Sequence, residues 1–353
     1  MFGTSNHERE LGSINRRSFL KISGVLGLGV AAYPIGISLA ESAKFDKKLY
    51  KVSKSRVGMG TLVSITVLNP SKDQAQEAIE LAFKEIERLT KLMSRYSPDT
   101  PVAHLNRDGL LKGVPPELFF VMKESMWYHR ISKGFFDITV KPILDIYAQY
   151  CQSSKEASIP AEKIQDLLDL VDANLVSFNK ETIEFKKDGM GITLDGIAKG
   201  FIVDKAAEKL MKGGIAHALI NAGGDIRTIG DKGNNRPWTI AIEDPLKKNN
   251  YPDIVTITNT SIATSGNYEV FFDREKIIHH IVNPKTGLSP LINSSVSVQA
   301  PTAVKADALS TTLLILEPVQ GTRLMQALPQ CESLIVTRNN VKIKSAGWQG
   351  IKI

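Results

Sequence analysis

The sequence predicts an α+β fold. Helical and strand-like apolar periodicities are interspersed along the chain, without the strict strand–helix–strand rhythm of a doubly wound sheet. The composition supplies a packed interior: 42% of the 353 residues are hydrophobic and 23% are charged. That is ordinary for a globular chain and unlike a disordered or collagenous one. No internal repeat, low-complexity stretch or linker divides the chain after residue 40, so residues 41–353 are expected to form one domain.

The elements follow from local pattern. Met59, Thr61, Val63, Ile65 and Val67 alternate with other residues, which gives a strand over 59–67 that ends at Asn69-Pro70. Ser71-Lys72-Asp73 opens a helix whose apolar face carries Ala78, Ile79, Ala82, Phe83, Ile86, Leu89 and Met93. Residues 94–110, polar and broken by Pro98 and Pro101, read as a loop. Pro115-Pro116 starts a second helix that runs to Ser132. Short strands are expected at 175–178 and 182–185, then a helix at 199–212 and strands at 217–221, 238–242, 254–258 and 294–299. A helix at 303–316 and a closing hairpin at 332–343 complete the reading.

Residues 1–40 form an address label. Arg16-Arg17 stands directly before Ser18-Phe19-Leu20-Lys21, and a Gly- and Ala-rich apolar stretch runs from Ile22 to Ala40. A charged start, an apolar middle and a small-residue exit define an export signal, and the arginine pair resembles the twin-arginine kind. Cleavage is expected after Ala40, with Ser38 at the −3 site; the alternative is an uncleaved membrane anchor. No Cys follows the apolar run, which excludes a lipoprotein. The expected location is therefore the periplasm or the outer face of the cytoplasmic membrane.

Charge and cysteine usage exclude other classes. The whole chain has 44 Lys plus Arg against 37 Asp plus Glu, a net +7. The label carries four of the basic and two of the acidic residues, leaving +5. The remaining basic residues are scattered rather than gathered in a stripe, so no nucleic-acid partner is expected. Cys151 and Cys331 are too few for a CxxC zinc site; in an oxidising compartment they either pair or remain separate buried thiols. There is no GxxxxGK[ST] phosphate loop, HExxH or GxSxG, and the glycines at 24, 27 and 29 lie inside the label.

Five constellations carry candidate chemistry. Asp307 and Thr311 are four apart on a helix and share a face, an all-oxygen pair that suits Mg²⁺ or Ca²⁺; Asp307 is otherwise a helix-start residue meeting the dipole. Ile192-Thr-Leu-Asp-Gly-Ile-Ala-Lys-Gly200 runs from a strand-like segment into a helix. There Gly196 exposes a carbonyl and Lys199 can meet a phosphate, or is a plain surface lysine. His280 precedes the turn sequence Asn283-Pro-Lys-Thr-Gly287 and is either a strand-end residue or a base. Neighbouring His279 points to the opposite face, which argues against a two-His metal site. Met93-Ser-Arg-Tyr96 and Gly134-Phe-Phe-Asp-Ile-Thr139 place aromatics near loops, where they serve a flat ring ligand or the core. Asn221-Ala-Gly-Gly-Asp225 lets backbone approach a ligand or makes a tight turn.

Taken in order, these motifs resemble the FAD:protein FMN transferase (ApbE) family. The carrying residues are Met59-Gly-Thr, Met93-Ser-Arg-Tyr96, Phe136-Asp-Ile-Thr-Val140, Asp195-Gly-Ile-Ala-Lys-Gly200, Asn221-Ala-Gly-Gly-Asp225, His280-Ile-Val-Asn-Pro284 and Ala306-Asp-Ala-Leu-Ser-Thr311. They span nearly all of residues 41–353. The resemblance implies a T-fold-like core and a flavin transferase domain. It implies Mg²⁺ held by the side chains of Asp307 and Thr311 and the carbonyl of Gly196. It implies an FAD site lined by Met59, Tyr96, Phe135, Phe136, Asp137, Thr193, Lys199 and Ile281. Many members carry an acidic residue where Thr193 stands and a small one where Asp195 stands. The implied reaction moves FMN from FAD to a Ser or Thr hydroxyl of another protein and releases AMP, with His280 as candidate base. The family's acceptors are redox subunits bearing Asp-x-x-(Ser/Thr)-Gly-Ala-Thr; this chain has no such heptapeptide, so it reads as donor enzyme rather than carrier. Two other readings remain: an FAD pyrophosphatase giving FMN and AMP, and a non-catalytic flavin-binding protein.

Overall fold

The computed structural model describes residues 39–44, 48–153, 159–246, 251–267 and 279–351, except for the side chains of 39–44 and 151–153. The arginine pair and most of the apolar label lie outside the described residues, as does the side chain of Cys151; Cys331 is a buried free thiol. Among the described residues no helix is long and apolar enough to cross a membrane.

The chain opens with β1 (Leu39–Lys44), β2 (Tyr50–Gly58) and β3 (Thr61–Asn69). Gly58 pairs with Thr61, so Met59-Gly60 is a two-residue turn, with φ of 53° and 73°. Positive φ at both central residues is what joins twisted strands tightly. The strand expected from Met59 therefore starts two residues later, and the β2 half of the hairpin was not expected. β1 begins two residues before the expected cleavage point.

Helix α1 (Lys72–Met93) matches its apolar pattern, and the Ser71 side chain caps it by accepting from the Gln74 amide at 3.2 Å. The expected loop over 94–110 instead contains α2 (Pro101–Asp108) and β4 (Leu110–Lys112). Pro101 sits in the first turn of α2, where a missing amide costs nothing, and Thr100 caps it. α3 (Pro116–Ile131) follows as expected; α4 (Lys141–Ser153) and α5 (Ala161–Leu168) were not expected. β5 (Val176–Phe178) and β6 (Thr182–Phe185) join β4 in a small three-stranded sheet. Next come α6 (Ala198–Lys212), β7 (His217–Ala222), β8 (Asp225–Ile229), β9 (Trp238–Ala241), β10 (Ile254–Ile257), β11 (Ser261–Gly266) and β12 (Asn293–Ala300). The chain closes with α7 (Ala303–Ile315), α8 (Pro318–Gln326), β13 (Glu332–Thr337) and β14 (Lys342–Lys344).

The main sheet has nine strands in the order β1-β2-β3-β7-β8-β11-β12-β13-β14, each pair antiparallel. One face carries Val63, Ile65 and Val67 into a large core shared with α1, α6 and α7. The other face is covered in part by the β9–β10 ribbon, whose Trp238 packs with Leu68, Leu219 and Val255. A third cluster joins Ile143, Leu144 and Tyr147 of α4 to Ile164 of α5 and Val282. It fixes the segment after His280 against the body of the protein.

Candidate active site

The hairpin tips at Met59-Gly60 and Gly223-Gly224 lie at one end of the main sheet, because Val63 pairs with Ala222 and places the two turns side by side. Gly223 has φ of 62°, and a Cβ there would stand 2.4 Å from the Thr61 hydroxyl oxygen, so this close approach needs glycine. Beside these tips opens a cleft. The start of α6, the middle of α7, the end of β11, the Phe135-Phe136-Asp137 turn and the segment 280–284 form its walls.

Two helices bring together residues more than one hundred positions apart. The Gly200 amide donates to Asp307 Oδ2 at 2.9 Å, and among the described residues no donor reaches Oδ1. A Cβ on Gly200 would lie 2.3 Å from the Ala303 carbonyl oxygen and 2.8 Å from Asp307 Cβ. Asp204, one turn later on α6, accepts from the Ala303 and Val304 amides at 2.9 Å each, satisfying the otherwise open start of α7. Gly200→Ala must push α6 off α7. The expected cost is about 2–3 kcal/mol of stability by overpacking, read as a lower urea midpoint; a midpoint equal to wild type would contradict this contact.

The same packing sets Gly196 against Thr311: a Cβ on Gly196 would meet Thr311 Cγ2 at 3.0 Å and Oγ1 at 3.2 Å. Asp307, Thr311, Gly196 and Lys199 thus all face the cleft. Ser265 at the end of β11 lies 3.3 Å from the Thr311 hydroxyl and 2.8 Å from that of Ser310. Asp307 and Asp225 are both about 3% exposed, and Lys199 Nζ lies 3.4 Å from Asp225 Oδ2. Burial first, then the neighbouring Asp225 charge, pushes the Asp307 carboxyl well above the ordinary range, with Lys199 pulling the other way. Two buried carboxylates beside one lysine leave the cleft short of positive charge. A carboxylate, a hydroxyl and a nearby backbone carbonyl are hard oxygen donors, so the residues fit a divalent cation such as Mg²⁺.

The remaining expected residues divide into wall, rim and brace. Phe135, Phe136, Thr193, His280 and Ile281 line the cleft. His280 is half-buried there, whereas His279 is fully buried, its Nε2 3.0 Å from the Pro290 carbonyl oxygen. Lys285 Nζ lies 4.2 Å from the centre of the Phe135 ring and straps the 280–287 segment to the aromatic turn. Tyr96 is not on the wall. It is 72% exposed at the rim and donates to Asp195 Oδ2 at 3.1 Å, alongside Arg95 Nε at 3.1 Å. Met59 is likewise not on the wall; it occupies the β2–β3 turn and packs on the core.

Asp137 borders the cleft, but its carboxylate is turned inward as a brace. Oδ1 accepts from the Thr139 amide and hydroxyl at 2.8 and 2.6 Å, and Oδ2 accepts from the Ala173 amide at 3.0 Å. His129 Nδ1 lies 3.1 Å from the same Oδ2. His129, Asp137 and Asp172 bring three ligand-type atoms within 4.8 Å of one another. Asp172 Oδ1 is also engaged, by the Asn174 amide and side chain at 2.9 Å. With these oxygens committed to N–H and O–H donors, the cluster reads as scaffolding behind the aromatic wall.

Its ion pair has a pH signature. The Asp137 carboxylate, 3.1 Å from Nδ1, raises the His129 pKa above 6.5. The protonated ring's contribution to stability is thus complete below about pH 6.5 and is lost as pH rises through the raised value. His129→Gln is expected to remove that slope from urea midpoints measured between about pH 5 and 9; identical slopes in both proteins would contradict it.

Sequence reasoning missed Asp204 and Ser265, and quoted Gly200, Arg95 and Asp225 within motifs without giving them a role. Gly200 and Asp204 had a findable signal, being four apart on one helix face immediately after the phosphate-suited lysine. Ser265 had none, since β11 itself was unexpected.

The fold and cleft define an α+β protein in which a carboxylate, a hydroxyl and a lysine share one cleft with two phenylalanines and a histidine. The ApbE family model matches residues 59–335, and the chain belongs to that family. The FAD:protein FMN transferase of Haemophilus influenzae is 28% identical over 305 residues, covering 82% of this chain and 86% of that one. The Chlamydia muridarum protein of the same name is 30% identical over 268 residues, 73% and 79% of the two chains. Among solved structures, the ApbE protein of Thermotoga maritima superposes with a TM-score of 0.74 at 27% identity, covering 84% of this chain and 97% of that one. The flavin transferase ApbE of Vibrio cholerae gives 0.72 at 23% identity, covering 87% and 98%, a likeness of fold.

Proposed function

We propose that this protein transfers the FMN half of FAD to a Ser or Thr hydroxyl of an acceptor protein and releases AMP. The observation that carries the reading is the convergence of Gly196, Lys199, Asp307 and Thr311 on one cleft, opposite Phe135, Phe136 and His280. In the reaction the acceptor oxygen bonds to the FMN-side phosphorus, the bond from that phosphorus to the bridging oxygen breaks, and AMP leaves with the electron pair. Phosphoryl transfer of this kind depends on charge neutralisation and in-line placement more than on covalent catalysis. Asp307 and Thr311 side chains with the Gly196 carbonyl would hold Mg²⁺, which when bound neutralises diphosphate charge and stabilises the leaving oxygen. Lys199 adds a second positive contact to the diphosphate. The Phe135-Phe136 wall offers apolar surface to a ring, and Lys285 fixes that wall in place. His280 takes the proton of the acceptor hydroxyl as the new bond forms.

The acceptors proposed are exported or membrane-associated redox subunits carrying Asp-x-x-(Ser/Thr)-Gly-Ala-Thr, met on the outer side of the cytoplasmic membrane after export through the residue 1–40 signal. The test is mass spectrometry of such an acceptor domain after incubation with the protein, FAD and Mg²⁺. Covalent FMN on the terminal Thr of the motif, with AMP in solution, is the expected result. FMN and AMP free in equal amounts with an unlabelled acceptor would make the protein a pyrophosphatase. Bound but intact FAD would make it a flavin carrier.

A further inference from the structure

Asp225 is a buried cleft carboxylate to which the proposed reaction gives no task. It opens β8 directly after the Gly223-Gly224 turn, and the fit of that turn against Thr61 fixes its position. It is about 3% exposed, and its Oδ2 makes no hydrogen bond among the described residues. Lys199 is its only ion-pair partner among them, at 3.4 Å, and the lysine side chain is 31% exposed toward the cleft. A buried carboxylate with an imperfect partner destabilises a fold, and replacing it with a neutral group is commonly neutral or favourable. Its placement therefore points to a task in function rather than in stability.

We propose that Asp225 is a positioning residue that tethers the Lys199 ammonium at the cleft wall, so that the ammonium meets the diphosphate of a dinucleotide ligand. Lys199 is a long flexible chain in the first turn of α6, and its Nζ has access to solvent on the open side of the cleft. A fixed anion on the closed side confines it next to Asp307 and Thr311, where the diphosphate would lie. This inference rests on the proposed function for the identity of the ligand.

The test is a double-mutant cycle on the full mature chain with Asp225→Asn, Lys199→Ala and the double variant. It reads FAD affinity by flavin fluorescence, kcat/KM for FMN transfer, and thermal midpoint. Asp225→Asn is expected to weaken FAD binding and lower kcat/KM by about 10- to 100-fold, the scale of one charge-assisted contact. Its thermal midpoint should equal or exceed wild type. On the Lys199→Ala background the same change should produce less than about a twofold further loss. Asp225→Glu, which keeps the anion, should recover most of the affinity and also serves if the Asn variant fails to fold. A full-sized further loss on the Lys199→Ala background, or a Glu variant as impaired as Asn, would overturn the proposal. So would an Asn variant whose activity falls only in step with its thermal midpoint. Because the affinity arm needs no transfer, a wild type that binds FAD but labels no acceptor would sink the transferase reading and still leave the tether tested.

Discussion

Asp307→Asn is expected to lower the rate of FMN transfer by about 10³-fold or more, the several kcal/mol that a correctly held cation supplies at a transferring phosphoryl group. The substitution keeps the side chain's shape and leaves an amide oxygen to accept from Gly200, so the helix contact survives. It also removes one of two buried like charges, since Asp225 is among the causes that push the Asp307 carboxyl upward. The variant should therefore fold at least as well as wild type while losing its response to added Mg²⁺. Rates measured across a Mg²⁺ titration decide the matter. Wild-type transfer with an unchanged metal dependence would remove Asp307 from the cation site and the mechanism with it.

The second large effect falls on His280. His280→Ala should lower kcat by about 10²–10⁴-fold, the usual scale for one general base. FAD affinity should change little, because the proton to be taken belongs to the acceptor. The rate of the variant should also lose the pH dependence that one titrating group imposes on the wild type. Retention of full rate from about pH 6 to 9 would assign the base elsewhere.

Much of this arrangement was legible in the chain, and the failures have physical causes. Helix α1 was readable because one face repeats with helical spacing over six turns and Ser71 marks its start. Asp307 and Thr311 were readable because helical spacing alone puts them on one face. Met59 misled because it alternates in phase with Thr61 and Val63, yet a non-glycine residue adopted positive φ at the turn. Pro101 suggested a break, but it sits where a helix tolerates proline, at its beginning. Asp137 borders the cleft, but nothing local shows its carboxylate turned toward Ala173, 36 residues away. The Lys199–Asp225 pairing and the Asp204 cap of α7 are long-range in the same way. No periodicity encodes which helix start will meet which strand.

The contact between Gly200 and Asp307 joins residues 107 apart in the chain. No early, locally folded fragment can contain both, so ligand affinity arises only when the whole topology has closed. Flavin capture during refolding should therefore lag behind secondary-structure formation and report the last cooperative step. Excess FAD with Mg²⁺ should then raise the apparent resistance to denaturant by mass action on the native state alone.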